Sequence, residues 1–326
     1  MNSVLTDEEK KLYLHKNAEK LFNMKESGGS MNELKTVIIT GANSGLGFET
    51  AKKIAKNQNY RVILACRNEE KAEKSKENIV NETKNENIIT MIIDTSSLKS
   101  VRNFVKEFKK LNIKLDRLIC NAGISPMHKG TTEEGYELVF ATNYLGHFLL
   151  TNLLLPYMSY DARIINVTSD MHNPPGGLEW KEPEMFAHPK EEDRRKYSYS
   201  KLGNIYFTYE LDKRLRNINS KIIVNAFNPG MMNTNFSGGH NSVARTAMVK
   251  LTMPERLGDL EKSSTALAEL TMNDEFNNMT GKYFDRSTNY IKSSELSYNE
   301  NNRFELWNKS VEFTNLKKDE SLEGIL

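Results

Sequence analysis

The sequence predicts an α/β fold: one doubly wound parallel sheet of about seven strands, helices on both faces, in a single domain. Three observations carry that expectation. Short β-branched runs alternate with helix-spaced apolar stripes from residue 34 onward. The first run leads into a glycine-rich turn and then a helix. The polar residues with chemical potential fall at the carboxyl ends of such runs or on the helices that follow, which is where doubly wound sheets bind ligands.

The first unit is Thr36-Val-Ile-Ile-Thr-Gly-Ala-Asn-Ser-Gly-Leu-Gly-Phe-Glu-Thr50. Val37 to Ile39 form the apolar run of a strand buried on both faces. The run stops at Thr40-Gly41, and from Phe48 onward Ala51, Ile54 and Ala55 recur at helical spacing. Gly41, Asn43, Ser44, Gly45, Leu46 and Gly47 therefore lie on a turn that opens a helix. A helix N-terminus offers unpaired N–H groups and a positive dipole end, and glycines let a pyrophosphate approach the backbone. The spacing Gly-x-x-x-Gly-x-Gly is neither that of the long-chain dinucleotide fold nor that of a P-loop. Between its strand and helix, the turn reads as a cofactor phosphate site.

Further strands are expected at Tyr60–Cys66, Ile88–Asp94, Leu115–Asn121, Arg163–Thr168 and Lys221–Asn228. The clearest helix runs from Ser97 to Leu111, with Leu98, Val101, Phe104, Val105, Phe108 and Leu111 on one stripe. The apolar stretch Phe140 to Met158 is interrupted by Asn143, His147, Thr151, Asn152 and Pro156, so it is expected as a buried helix rather than a membrane span. Residues 1–33 form an N-terminal extension: a capping box at Thr6-Asp-Glu-Glu9, a helix over about 6–24, then a Gly/Ser-rich join. The main domain covers 34–326. It includes a substrate lid at about 231–256 and a C-terminal helix carrying Phe304, Trp307 and Val311.

Composition narrows the function. Apolar residues make up 38% of the chain, charged residues 27%, and the net charge is +2, which gives no basic face for nucleic acid. Cys66 and Cys120 end apolar runs and are expected as buried, reduced thiols of a cytoplasmic protein. His128, His147 and His172 lack metal-ligand spacing, so no metal is expected.

Two features bear on chemistry. Arg67 ends the second strand, twenty residues after Gly47, with no carboxylate at that strand end. A basic fork there suits the 2′-phosphate of NADP(H), where an acidic residue would suit NAD(H). Tyr197 and Lys201 are four apart, on one helix face, and a nearby ammonium brings a phenol toward working pH. Tyr209 and Lys213 share that spacing but lie about three turns deeper in the same helix. Ser169, at the end of the strand Arg163–Thr168, can hydrogen-bond a substrate oxygen on which charge develops.

Together with Asp94-Thr95, Asn121-Ala122-Gly123, Asn143, Asn228-Pro229-Gly230 and Thr234, these residues resemble the short-chain dehydrogenase/reductase family in order across about 34–290. Ala-Cys-Arg67, Asn143-Tyr-Leu-Gly-His-Phe-Leu-Leu-Thr151 and Tyr-Ser-Tyr-Ser-Lys-Leu-Gly-Asn204 look most like its retinol dehydrogenase and protochlorophyllide reductase branch. The resemblance implies a Rossmann-like fold and an NADP(H)-dependent oxidoreductase acting on an apolar carbonyl or alcohol. It implies Tyr197 as general acid/base, Lys201 on the nicotinamide ribose, Ser169 on the substrate oxygen and Asn143 in a proton relay. It also implies Asp94 at the adenine, Asn121 at the cofactor side of the sheet, and Thr234 at the carboxamide or phosphate. Dimers or tetramers would form on helices around 134–158 and 196–218. The alternatives are a double-bond photoreductase, from which Met231 after the Pro-Gly pair departs, and a non-catalytic NADP-binding regulator.

Overall fold

The structure is a computed structural model, and it describes residues 34–190, 193–232 and 250–326. The expected N-terminal helix, Thr234 and most of the expected lid lie outside the described residues.

Eight strands form one sheet in the order β3-β2-β1-β4-β5-β6-β7-β8. They are β1 (Lys35–Thr40), β2 (Tyr60–Cys66), β3 (Ile88–Ile92), β4 (Leu115–Cys120), β5 (Met158–Val167), β6 (Ile223–Phe227), β7 (Tyr283–Phe284) and β8 (Tyr290–Ile291). The first seven are parallel and only β8 runs antiparallel. The chain winds outward from β1 in both directions, so the crevice at the carboxyl ends of β1 and β4 is the switch point.

Strand alternation sends side chains to two separate cores. Val37, Ile39, Val62, Leu64 and Ile119 pack against α1 (Gly45–Ala55) and α2 (Glu69–Thr83). Ile38, Ile63, Leu118 and Ile164 face α3 (Leu98–Lys110) and α4 (Leu138–Tyr157). The stripe expected over Ser97–Leu111 is α3, with Ser97 as its N-cap accepting from the Ser100 amide. Helix α4 is long and apolar enough to cross a bilayer by composition, yet its apolar 18-residue stretch is 94% buried inside this domain. It is the core helix expected from the sequence. Next come the short α5 (Pro183–Ala187), the 22-residue α6 (Lys196–Asn217), α7 (Leu260–Met272) and α8 (Glu300–Thr314).

Two differences from the sequence reading have physical causes. Strand β5 starts at Met158 rather than Arg163, because its first residues pair with β4 across a register shift after Leu115. Strands β7 and β8 are two residues each, too short to leave a periodic signal.

Candidate active site

The turn after β1 is built for close approach. Gly41 and Gly45 hold φ of +66° and +54°. A Cβ on Gly47 would lie 2.5 Å from Asn121 Nδ2 and 2.6 Å from the Gly41 carbonyl. Ser44 caps α1 in position but makes no side-chain cap hydrogen bond, and no acidic residue occupies the first turn. The amides opening α1 are thus free to meet an anion. Beneath the turn the amides of Ala42 and Asn43 hydrogen-bond the buried Cys66 thiol, whose pKa burial pushes up to about 12. Cys120 is also buried, with its pKa raised likewise to about 12, so neither thiol is a nucleophile at neutral pH.

The Thr40 hydroxyl joins β1 to β4 and α4. It accepts from the Asn121 and Ala122 amides, both at 2.9 Å, and donates to His147 Nε2 at 2.9 Å. His147 Nδ1 donates to the Asn143 carbonyl at 3.2 Å, which fixes the ring tautomer. The ring is fully buried, and desolvation holds its pKa down at about 4, so it stays neutral. Asn121 Nδ2 returns a bond to the Thr40 carbonyl at 2.8 Å. The Asn143 side chain brackets Ile124, accepting from its amide at 2.8 Å and donating to its carbonyl at 3.1 Å, and reaches Ser200 Oγ at 3.1 Å. Asn143 lies inside a π-helical segment, Ala141–Leu145, of α4. Such a bulge inside an α-helix often marks a functional site. Gly123 packs closely on Asn143: a Cβ would sit 3.2 Å from Asn143 Oδ1, which would have to give by a few tenths of an ångström.

Tyr197 and Lys201 open α6, with the Lys201 ammonium 5.6 Å from the Tyr197 ring centroid. Lys201 Nζ donates to the Val167 carbonyl at 3.2 Å and, among the described residues, meets no carboxylate. Desolvation alone lowers its pKa to about 8. Thr168 ties β5 to this helix by donating to the Lys201 carbonyl at 2.8 Å. The next residue, Ser169, leaves the sheet in extended backbone, its Oγ accepting from the Met171 amide at 3.1 Å. The rival pair separates from this site. Tyr209 bonds Ser293 Oγ at 2.7 Å and stacks on Tyr298, while Lys213 pairs with Glu300 on the surface.

Arg67 is exposed at the end of β2, 4.0 Å from Asp94 Oδ2, and the next carboxylates, Glu69 and Glu70, fall in the first turn of α2. Asp94 Oδ1 accepts from the Ser96 amide at 2.9 Å and its hydroxyl at 2.6 Å, shaping the turn that holds buried Thr95. Asn228 Oδ1 accepts from the Gly230 amide at 3.0 Å, and the Pro229 carbonyl accepts from Ser263 at 2.8 Å. A phosphate-ready helix start, a basic strand end and a buried ammonium that meets no carboxylate among the described residues fit a dinucleotide.

With that geometry in place, the relatives are decisive. The sequence profile of the short chain dehydrogenases matches residues 35–178. Retinol dehydrogenase 13 of Mus musculus is 38% identical over 288 residues, covering 86% of this chain and 84% of that protein. The chain belongs to the short-chain dehydrogenase/reductase family. Short-chain dehydrogenase TIC 32 A, chloroplastic, of Brassica napus is 33% identical over 287 residues, 85% of this chain and 87% of that protein. Among solved structures, 3-ketoacyl-(acyl-carrier-protein) reductase from Brucella melitensis complexed with NADH matches at a TM-score of 0.57 and 25% identity, over 78% of this chain and 97% of that one. This short-chain dehydrogenase is thus an oxidoreductase of the retinol dehydrogenase-like branch using a nicotinamide cofactor.

Sequence reasoning passed over three participants. The Thr40 hydroxyl was visible only as part of the turn motif. His147, read from the sequence as lacking metal-ligand spacing, carries the link from Thr40 to Asn143. Arg256, within the expected lid, reaches the Ser169 turn, with Nη1 3.6 Å from Met171 Sδ and Nη2 3.4 Å from the Asn173 carbonyl. None could be assigned from spacing, because each acts on an element more than 40 residues away.

Proposed function

We propose that the protein is an NADP(H)-dependent reductase or dehydrogenase of apolar carbonyl and alcohol substrates, with Tyr197 as its general acid/base. The observation carrying this reading is Lys201: a buried ammonium beside the Tyr197 ring, with no carboxylate among its described partners. Its field favours the phenolate and brings the phenol toward working pH. In reduction Tyr197 donates its proton to the substrate oxygen; in oxidation it accepts that proton. Ser169, whose hydroxyl donates to Asp170 Oδ1 at 3.2 Å in the structure, turns that hydrogen to the same oxygen when substrate binds. Asn143 steadies the Gly123–Ile124 backbone beside Lys201. When bound, the nicotinamide supplies or takes the hydride. The amides of Gly45, Leu46 and Gly47 would hold its pyrophosphate, with Asn43, Ser44, Asn121, Ala122, Gly123, Pro229 and Gly230 lining the same path. Asp94 and Thr95 would flank the adenine.

Arg67 supports NADP(H) over NAD(H), since its exposed guanidinium at the β2 end is available to a 2′-phosphate. The test is an NADPH-oxidation screen across all-trans-retinal, straight-chain aldehydes, ketones and quinones, with NADH as control. Tyr197→Phe should abolish turnover while NADPH binding persists. Arg67→Ala should raise the KM for NADPH about 10–100-fold, the equivalent of one charge-assisted hydrogen bond, and leave NADH untouched. A wild-type preference for NADH would overturn the cofactor assignment.

A further inference from the structure

We propose that His172 is a positioning residue for Ser169, a neutral imidazole bracket that fastens the serine's turn to the chain segment following β8. The proposal rests on the assignment of Ser169 to the substrate oxygen.

The turn begins where the sheet ends. Thr168 is fixed by its amide to the Phe227 carbonyl at 2.8 Å and by its hydroxyl to α6. From Ser169 onward no ladder bond holds the chain, and a single 3-10 turn, Asp170–His172, follows. His172 closes that turn. Its amide reaches the Ser169 carbonyl at 3.1 Å, and its ring Nδ1 meets the same carbonyl at 2.7 Å. On the far side, ring Nε2 takes the Ser294 amide at 3.0 Å. A backbone amide can only donate, so Nε2 must be bare and Nδ1 must carry the proton. One side chain thereby bridges two backbone groups that lie far apart in sequence.

The surroundings keep the bracket neutral. His172 is 4% exposed, and its ring meets Tyr283 of β7 edge-on at 5.2 Å between centroids. Among the described residues two charged groups face it, Asp170 from its own turn and Arg256 from the segment returning to α7; the first favours the charged ring and the second opposes it. Burial is the largest influence and lowers the pKa. An imidazolium would point a second N–H at the Ser294 amide and lose that bond. An apolar residue could fill the same space, yet it would release the turn from its anchor. Ser169 Oγ is itself engaged locally, by the Met171 amide and by Asp170 Oδ1 at 3.2 Å, so its direction follows the backbone of this turn.

The experiment compares His172→Leu, His172→Gln and Ser169→Ala with wild type. It uses the full chain and the carbonyl compound reduced fastest in the NADPH screen. His172→Leu should lower kcat about 10–100-fold, the usual consequence of misplacing a group by about an ångström, while the Kd for NADPH stays unchanged. Gln carries a donor and an acceptor at its tip and should restore part of kcat. It does not titrate, so the acid limb that His172 contributes to kcat should be absent. Imidazole 15N shifts of the wild type at pH 7 should show His172 neutral and protonated at Nδ1, a readout that needs no variant to fold. A charged or Nε2-protonated His172, or His172→Leu with wild-type kcat while Ser169→Ala is impaired, would overturn the proposal and leave the proposed function standing. Wild-type kcat in Ser169→Ala would remove the serine's role and this proposal with it.

Discussion

At the scale of single residues, two buried bases oppose the fold in different pH ranges. Lys201 is an ammonium held away from water, its pKa lowered to about 8 from an ordinary 10.5. The penalty for burying its charge is full below pH 8 and fades as pH rises from about 8 to 10.5. Lys201→Met should therefore lower kcat at least about 100-fold. It should also stabilise the protein at pH 7 by on the order of 1–3 kcal/mol, a gain that narrows by pH 10. Thermal melts of the cofactor-free protein at both pH values check this; a lower midpoint at pH 7 would show that the ammonium is paired. His147 works at the acid end. With its pKa lowered to about 4, its contribution is fully present above about pH 6.5 and lost as pH falls from there toward 4. Acidification across that window should cost on the order of 3 kcal/mol from this ring alone. In denaturant titrations from pH 7.5 to 4, His147→Gln should start less stable than wild type and converge with it.

At the scale of elements, α4 and α6 place the site, and glycine sets their distances. A Cβ on Gly146 would fall 1.9 Å from the Thr95 carbonyl, so α4 rests directly on the turn after β3. A Cβ on Gly203 would lie 2.9 Å from the Tyr144 ring, which is itself held by a 2.7 Å bond from its hydroxyl to Ser310. Gly146→Ala should destabilise by about 3 kcal/mol or more, because a backbone carbonyl must move. Gly203→Ala should cost less, since a ring can tilt; equal losses in chemical denaturation would refute that ranking. The same two helices mark how far sequence could reach. Their existence, their burial and the Tyr197/Lys201 pair were legible, because apolar spacing and i,i+4 geometry are local properties. The π-helical segment around Asn143 was not, since it depends on Ile124 and Ser200 arriving from other elements. Tyr209 and Lys213 show the converse: sequence could not dismiss them by spacing, and only their partners Ser293, Tyr298 and Glu300 do so.

At the scale of the whole molecule, the C-terminal helix decides which surfaces remain for other chains. Sequence placed Phe304, Trp307 and Val311 on one face, and could not say what that face covers. In the fold Trp307 is 2% exposed, edge-on to Phe148 of α4 at 5.1 Å and stacked on Phe207 of α6 at 5.9 Å, with the Arg214 guanidinium 4.4 Å from its centroid. Glu210 on α6 binds Arg214 at 2.9 Å and faces Arg303 of α8 at 3.8 Å, and Arg214 also reaches the Ile325 carbonyl at 2.7 Å. The helices expected to carry subunit contacts thus spend these faces on their own chain's α8. The full chain should not self-associate through them, whatever its assembly state, and substitutions of Phe148 or Phe207 should alter stability rather than mass. Trp307→Ala should destabilise by about 3–5 kcal/mol, the range for emptying a buried aromatic site. Deleting residues 299–326 should uncover Phe148 and Phe207 and drive association, as large exposed apolar patches do. Light scattering of the full and shortened chains decides the matter: equal masses for the two, with solubility retained, would mean that α8 does not shield this surface.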